Sequence, residues 1–340
     1  MVEFIIGHIR RIMKKKKIRK NKNRTKRIIL LLLLGIVTFG SATYAWFTAN
    51  QVVTVNFINI KVEASNGIQI STNASEWKSV ITNDDINAGY ENSVNQLPEI
   101  VTNISTDGKV DTTTGRLNMY YGVIGTDANT GLYNLRTVKQ TDVAGNEGRY
   151  VAFDIFLRVD QGQTIYLTSD SGVEADGEDK GLKNAARVGI VKLGHGSLTD
   201  STNTLVNLKN EVATTAIIWE PNIDQHTDMV KDVVAPEYEV TIPATGSVPY
   251  RGISTTITTP VDLKKTINGT DTTNTAAVVP NIKTTANFTN YQEIFTLSSG
   301  VTKMLVDMWI EGQDIDCENG ATGSNIYFSL QLSTHESANG

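Results

Sequence analysis

The chain has 340 residues, 40% hydrophobic and 20% charged, with 27 Gly, 7 Pro and one Cys. That composition excludes disordered, collagen-like and disulfide-stapled classes and allows one large domain or two small ones. The formal charge of −5 averages two unlike parts: residues 1–27 carry twelve Lys/Arg against Glu3, while residues 46–340 carry 19 Lys/Arg against 35 Asp/Glu. A body this acidic repels phosphate backbones, so no nucleic-acid partner is expected.

The N-terminus reads as an export device. A basic n-region, 1–27, precedes an uncharged apolar run, 28–39, and then the small residues Gly40-Ser-Ala-Thr-Tyr-Ala45. This is the order of a secretory signal, with the basic block cytoplasmic and the acidic body crossing. A signal peptidase could cut after Ala45, with Thr43 two residues before it, or near Ala42 and Thr43, with Gly40 before Ala42. The alternative is an uncleaved membrane anchor over 28–47, which has about the 20 residues that span a bilayer. Met13, followed by four Lys, is a second candidate start beside Met1.

After the leader the apolar residues alternate, as in strands. Val53, Val55 and Phe57 lie on odd positions, then Ile58, Ile60 and Val62 on even ones. The change of phase predicts a bulge or bend at Phe57-Ile58. Further strands are predicted over 67–71, 117–125, 150–160, 163–168, 187–193, 213–219, 238–242, 291–297, 301–311 and 326–332. In 301–311, Met304, Val306, Met308 and Ile310 face one way, and Lys303, Asp307 and Glu311 the other. Short helices are predicted over 84–87, around 91–100 and over 178–186. The stretch 221–280 holds six of the seven prolines and several Thr runs. It reads as a surface excursion between core strands, with a separate domain as the alternative. Many short strands with Gly/Asn/Asp turns predict an all-β fold, a jelly-roll-like β-sandwich with few short helices, behind an N-terminal signal or transmembrane helix.

Chemistry-bearing motifs are scarce. No H-E-x-x-H, G-x-S-x-G, P-loop or dinucleotide fingerprint occurs. Of the four histidines only His226 is flanked by acids, and Cys317 sits between Asp316 and Glu318, which raise a thiol pKa. Two acidic stretches carry enough oxygen ligands for Ca²⁺: Glu311, Asp314, Asp316, Glu318 and Asn319, and Asp170, Glu174, Asp176, Glu178 and Asp179. Neither keeps the EF-hand register, so solvated turns are the competing reading and no other cofactor is expected. A lone cysteine leaves an exported chain to be stabilised by packing.

The junction Gly40-Ser-Ala-Thr-Tyr-Ala-Trp-Phe-Thr48 and the alternating strand after it resemble the start of the TasA/camelysin group of exported Gram-positive proteins, over about 35 residues. The segments Asn184-Ala-Ala-Arg-Val-Gly-Ile190, Ile218-Trp-Glu-Pro-Asn222 and 309–319 also look like recurring features of Firmicute surface proteins with such a leader. The resemblance implies cleavage between Ala45 and Trp46, a jelly-roll subunit, and a freed N-terminal strand that completes a neighbour's sheet in biofilm-matrix fibres. The metallopeptidase association of the camelysin name finds no matching zinc motif here. Independently of the resemblance, an alternating strand at a chain end, with Val53, Val55, Phe57, Ile60 and Val62, is suited to adding to an open sheet edge, and such head-to-tail addition propagates. The expectation is a non-catalytic structural protein, secreted or at the cell surface of a Gram-positive bacterium, that self-associates. A membrane-anchored adhesin or binding module is the alternative, and a secreted hydrolase built around His226 a third reading.

Overall fold

The computed structural model describes the backbone of residues 53–62 and, with side chains, residues 67–280, 282–284, 291–317 and 325–336. In chain order the strands are β1 (Val53–Val62), β2 (Gln69–Ser71), β3 (Val80–Ile81), β4 (Ile100–Val101), β5 (Val110–Asp111), β6 (Arg116–Leu117), β7 (Met119–Thr126), β8 (Tyr133–Gln140), β9 (Val151–Val159) and β10 (Gln163–Leu167). They continue as β11 (Gly172–Asp176), β12 (Ala186–Gly196), β13 (Ile217–Trp219), β14 (Arg251–Ile253), β15 (Val261–Asp262), β16 (Ala276–Val278), β17 (Gln292–Leu297), β18 (Gly300–Ile310) and β19 (Asn325–Ser333). Helices are few and short: α1 (Asn83–Ala88), α2 (Thr202–Val206), α3 (Ala235–Tyr238) and α4 (Leu263–Asn268). The fold is mostly β, as the alternation predicts.

Two larger sheets carry it. In the first, the order is β17-β10-β19-β1-β3, with β11 also on β19 and β4 also on β1; in the second it is β13-β12-β18-β9-β2. Pairing is antiparallel except between β1 and β19, which run parallel. One hydrophobic cluster takes Ile165, Val173, Phe328 and Leu330 from the first sheet and Phe153, Ile155, Val188 and Val306 from the second. Burying the apolar faces of two sheets against each other is the main driving force of such a fold.

The second sheet is covered on its other face as well, by a cluster that joins Val191, Leu305 and Trp309 to Ile104, Met119, Tyr150 and Tyr250. Alternation in 301–311 therefore does not separate core from solvent. Lys303, Asp307 and Glu311, expected on the outer face, are all buried. Every residue of β18 is buried.

Other expectations are corrected locally. The phase slip in β1 falls one residue early: the register with β19 shifts between Val55 and Phe57, leaving Asn56 as the extra residue. The predicted helix over 178–186 is only a 3₁₀ turn, Leu182–Ala185, because Gly181 takes a left-handed φ of 88° and Ala186 already belongs to β12. No helix forms over 91–100. The predicted strand at 238–242 is replaced by the end of α3, where Glu239 adopts a left-handed φ of 55°. β8 and β11 were not expected. β11 lies in the second acidic stretch, where Val173 is buried while Glu174 and Asp176 point outward along the edge of β19.

The excursion 221–280 is not a separate body. Val230, Val234, Tyr238, Ile253, Ile257 and Leu263 belong to the same hydrophobic cluster as the two sheets. Its β15 extends the β7–β8 hairpin, and β14 pairs with β16.

Candidate functional site

Three places can carry function: the bed of β1, the acidic stretch after β18, and a polar cleft over the second sheet. β1 lies between β19, which it pairs from Thr54–Asn325 to Val62–Leu332, and two short strands at its ends, β4 at Val53–Val101 and β3 at Ile60–Ile81. The register sets Val55, Ile60 and Val62 beside Ile326, Leu330 and Leu332, which are buried, and Phe57 beside half-buried Tyr327. Parallel neighbours cannot be joined by a tight hairpin, so β1 enters this sheet from the far end of the chain. The cleavage candidates Ala42, Thr43, Ala45 and Trp46 lie outside the described residues.

The acidic stretch turns inward instead of presenting ligands around a common centre. Glu311 accepts hydrogen bonds from the Tyr250 hydroxyl at 2.6 Å, from Trp309 Nε1 at 3.0 Å and from the Gln313 amide at 2.9 Å. Asp314 pairs with Arg187, whose Nη2 also reaches Glu220 Oε1 at 2.6 Å, while Nη1 donates to the carbonyls of Asn184 and Ala186. Asp316 bonds His226 Nδ1 at 2.6 Å, and His226 Nε2 donates to the Gly246 carbonyl at 2.7 Å. The partners of Glu311, Asp314 and Asp316 are thus protein donors and cations, and among the described residues no group of His, Cys, Asp or Glu is arranged to hold a metal ion. Glu318 and Asn319 lie outside the described residues. The second stretch is spent on β11 and on Lys183, which reaches Glu174 and Asp179.

Burial sets the electrostatics of this network. It raises Glu220 to about 8, with the Arg187 charge opposing, and raises Glu311 to about 7, with its hydrogen-bond donors opposing. For His226, burial opposes the charged ring, but the hydrogen bond and charge of Asp316 prevail and lift its pKa to about 9. A cavity of about 20 Å³ lies against Glu220, Gln313 and Asn184. That is room for one water, and Glu220 Oε2, Asn184 Oδ1 and both amide atoms of Gln313 have no hydrogen-bond partner among the described residues. His226 is fixed at both nitrogens inside this network and Cys317 is buried, so neither is presented to a substrate.

On the same face of the second sheet, 303 to 307 rather than 311, a second polar group is built around Asp154 of β9. Lys303 Nζ lies 3.1 Å from Asp154 Oδ2, and the Tyr90 hydroxyl donates to that oxygen at 2.6 Å. Arg116 Nε reaches Asp142 Oδ2 at 3.1 Å, with Nη1 3.7 Å from Asp154 Oδ1. Asp307 beside them is wholly buried, and burial raises its pKa well above the carboxylate range. A cleft of about 760 Å³, bordered by Arg116, Lys209, Lys303, Tyr90 and Asp154, opens over this group. Its size is that of a small-ligand site, and its lining is polar.

No protein-family model, curated protein or solved structure matches this chain.

The sequence reading missed the Arg187 and Lys303 networks. The signal was present: charged residues recur at every fourth position of 301–311 and of β9, and charges on a strand whose neighbours are mostly apolar can equally be buried and paired. Sequence distance hides those pairs, since Asp154 and Lys303 meet only on neighbouring strands, and His226 and Asp316 only where two loops come together.

Proposed function

We propose that the chain is an exported, non-catalytic structural protein, a jelly-roll-like subunit of a biofilm-matrix fibre or surface layer of a Gram-positive bacterium, assembled by exchange of its N-terminal strand. The leader directs export, signal peptidase cuts between Ala45 and Trp46, and the freed strand, with Val53, Val55, Phe57, Ile60 and Val62, is the part exchanged. The observation that carries this reading is the parallel seat of β1 against β19. A strand held as an added ribbon, with main-chain pairing along one whole edge and only short contacts on the other, can be replaced by the same strand of a neighbour without new chemistry. Head-to-tail replacement does not close on itself, so it yields a filament.

The test compares chains 46–340 and 63–340 by negative-stain microscopy across a concentration series, with a 46–62 peptide added to the shorter chain. Filaments from 46–340 alone, and capture of the peptide by 63–340, are expected. Equal assembly by both chains, or a dispersed monomer from 46–340 at every concentration, refutes the reading. The second reading, a membrane-anchored binding module held by 28–47, draws on the 760 Å³ cleft. It requires the apolar segment to remain on the protein recovered from cells.

A further inference from the structure

The geometry points to a covalent bond: we propose that Lys303 Nζ and Asp154 Cγ condense to an intramolecular amide that ties β18 to β9. The two side chains are 4% and 1% exposed and their nitrogen and oxygen lie 3.1 Å apart. They sit on neighbouring antiparallel strands whose register sets Lys303 beside Phe156 and Asp154 beside Leu305. The reacting groups are therefore held together by the sheet itself, and preorganisation of this kind replaces a bimolecular encounter.

The surroundings suit the reaction more than they suit a permanent ion pair. The rings of Tyr90 and Phe156 lie 5.0 and 5.8 Å from Nζ, and burial lowers the pKa of the lysine, favouring the free amine. Two N–H groups of a neutral amine find acceptors in the Val206 carbonyl at 2.6 Å and the Tyr90 oxygen at 3.0 Å, which leaves the lone pair toward Asp154. The Tyr90 hydroxyl, donating to Oδ2, steadies the charge that gathers on that oxygen as Nζ adds to Cγ. Oδ1 is buried and has no hydrogen-bond partner among the described residues.

The balance is simple. The ammonium and the carboxylate give one amide and one water: the Nζ–Cγ bond forms, the Cγ–Oδ1 bond breaks, and two of the three ammonium protons leave on Oδ1. The remaining N–H keeps Val206 as its acceptor, and Oδ2 becomes the amide carbonyl with Tyr90 still donating to it. The water has an exit, because the cleft is bordered by both residues. The product removes the charges of Lys303 and Asp154 and leaves Arg116 to Asp142, in a chain whose single cysteine cannot form a disulfide within itself.

Peptide mapping of the full chain decides it. Trypsin cannot cut at an acylated Lys303, so the denatured protein should yield residues 150–158 joined to 284–340, lighter by one water than the two together. Asp154→Ala and Lys303→Arg should each abolish that species. Separate 150–158, 284–303 and 304–340 as the dominant peptides of the parent chain would overturn the proposal and leave an ordinary buried ion pair. A water loss confined to 150–158, with cleavage at Lys303 intact, would overturn it equally.

Discussion

Replacing Arg187 with Met tests how the second sheet tolerates the charges on its covered face. The guanidinium is 1% exposed and joins Glu220 and Asp314, which are 4% and 11% exposed, and it also holds the carbonyls of Asn184 and Ala186. Methionine keeps much of the stem's packing but leaves two carboxylates without their cation. Breaking a buried pair from one side costs about 3–5 kcal/mol. At about 2 °C per kcal/mol for a domain of this size, the melting temperature should fall by about 6–10 °C. The loss should also depend on pH. Glu220, at about 8, and Glu311, at about 7, stand above their unfolded values. Their contribution to stability is therefore complete below about pH 4.5 and is lost as pH rises through 7 to 8. With Arg187 gone the carboxyls hold their protons to still higher pH, so the variant should lose least near pH 5 and most near pH 8. Urea unfolding of chain 46–340 and of its Arg187→Met variant at both pH values gives the numbers. A loss below about 1 kcal/mol, or one equal at pH 5 and pH 8, would show that the network is hydrated and screened, contrary to the burial argued here.

Three further outcomes follow from the same packing. Gly252→Ala would place a methyl group on the Thr106 carbonyl and within 2.8 Å of the Asp107 nitrogen, so β14 must shift and urea unfolding should show a loss of about 1–3 kcal/mol. Tyr250→Phe removes the hydroxyl that Glu311 and the Thr106 carbonyl share, while Glu311 keeps Trp309 Nε1 and the Gln313 amide, so the loss should be about 0.5–1.5 kcal/mol in the same assay. Cys317 is 1% exposed, so a thiol reagent should react only as the chain unfolds, with a midpoint matching the loss of tertiary structure by near-ultraviolet circular dichroism.

The alternation of Val151, Phe153, Ile155, Leu157 and Val159, and of Ile326, Phe328, Leu330 and Leu332, determined by itself that these segments are strands and which face meets the core, because a period of two has only one way to bury its apolar side. The same rule located β10, β12 and β17, and the short helix expected over 84–87 forms as α1, whose first turn is closed by a Thr82–Asp85 capping box. What lies against the other face was not legible. Lys303 and Asp307 read as solvent-facing until the segments carrying Tyr90 and Arg116 come over them, and those partners are set by chain crossings that no local pattern encodes. The carboxylates of the 311–316 stretch read as ligands for a cation for the same reason. Local sequence shows how many oxygens are near one another, whereas the tertiary structure brings Arg187, His226 and Tyr250 from other parts of the chain to Asp314, Asp316 and Glu311. The seat of β1 was likewise decided at long range: its own residues specify a strand, but only the free edge of β19 makes it a parallel one.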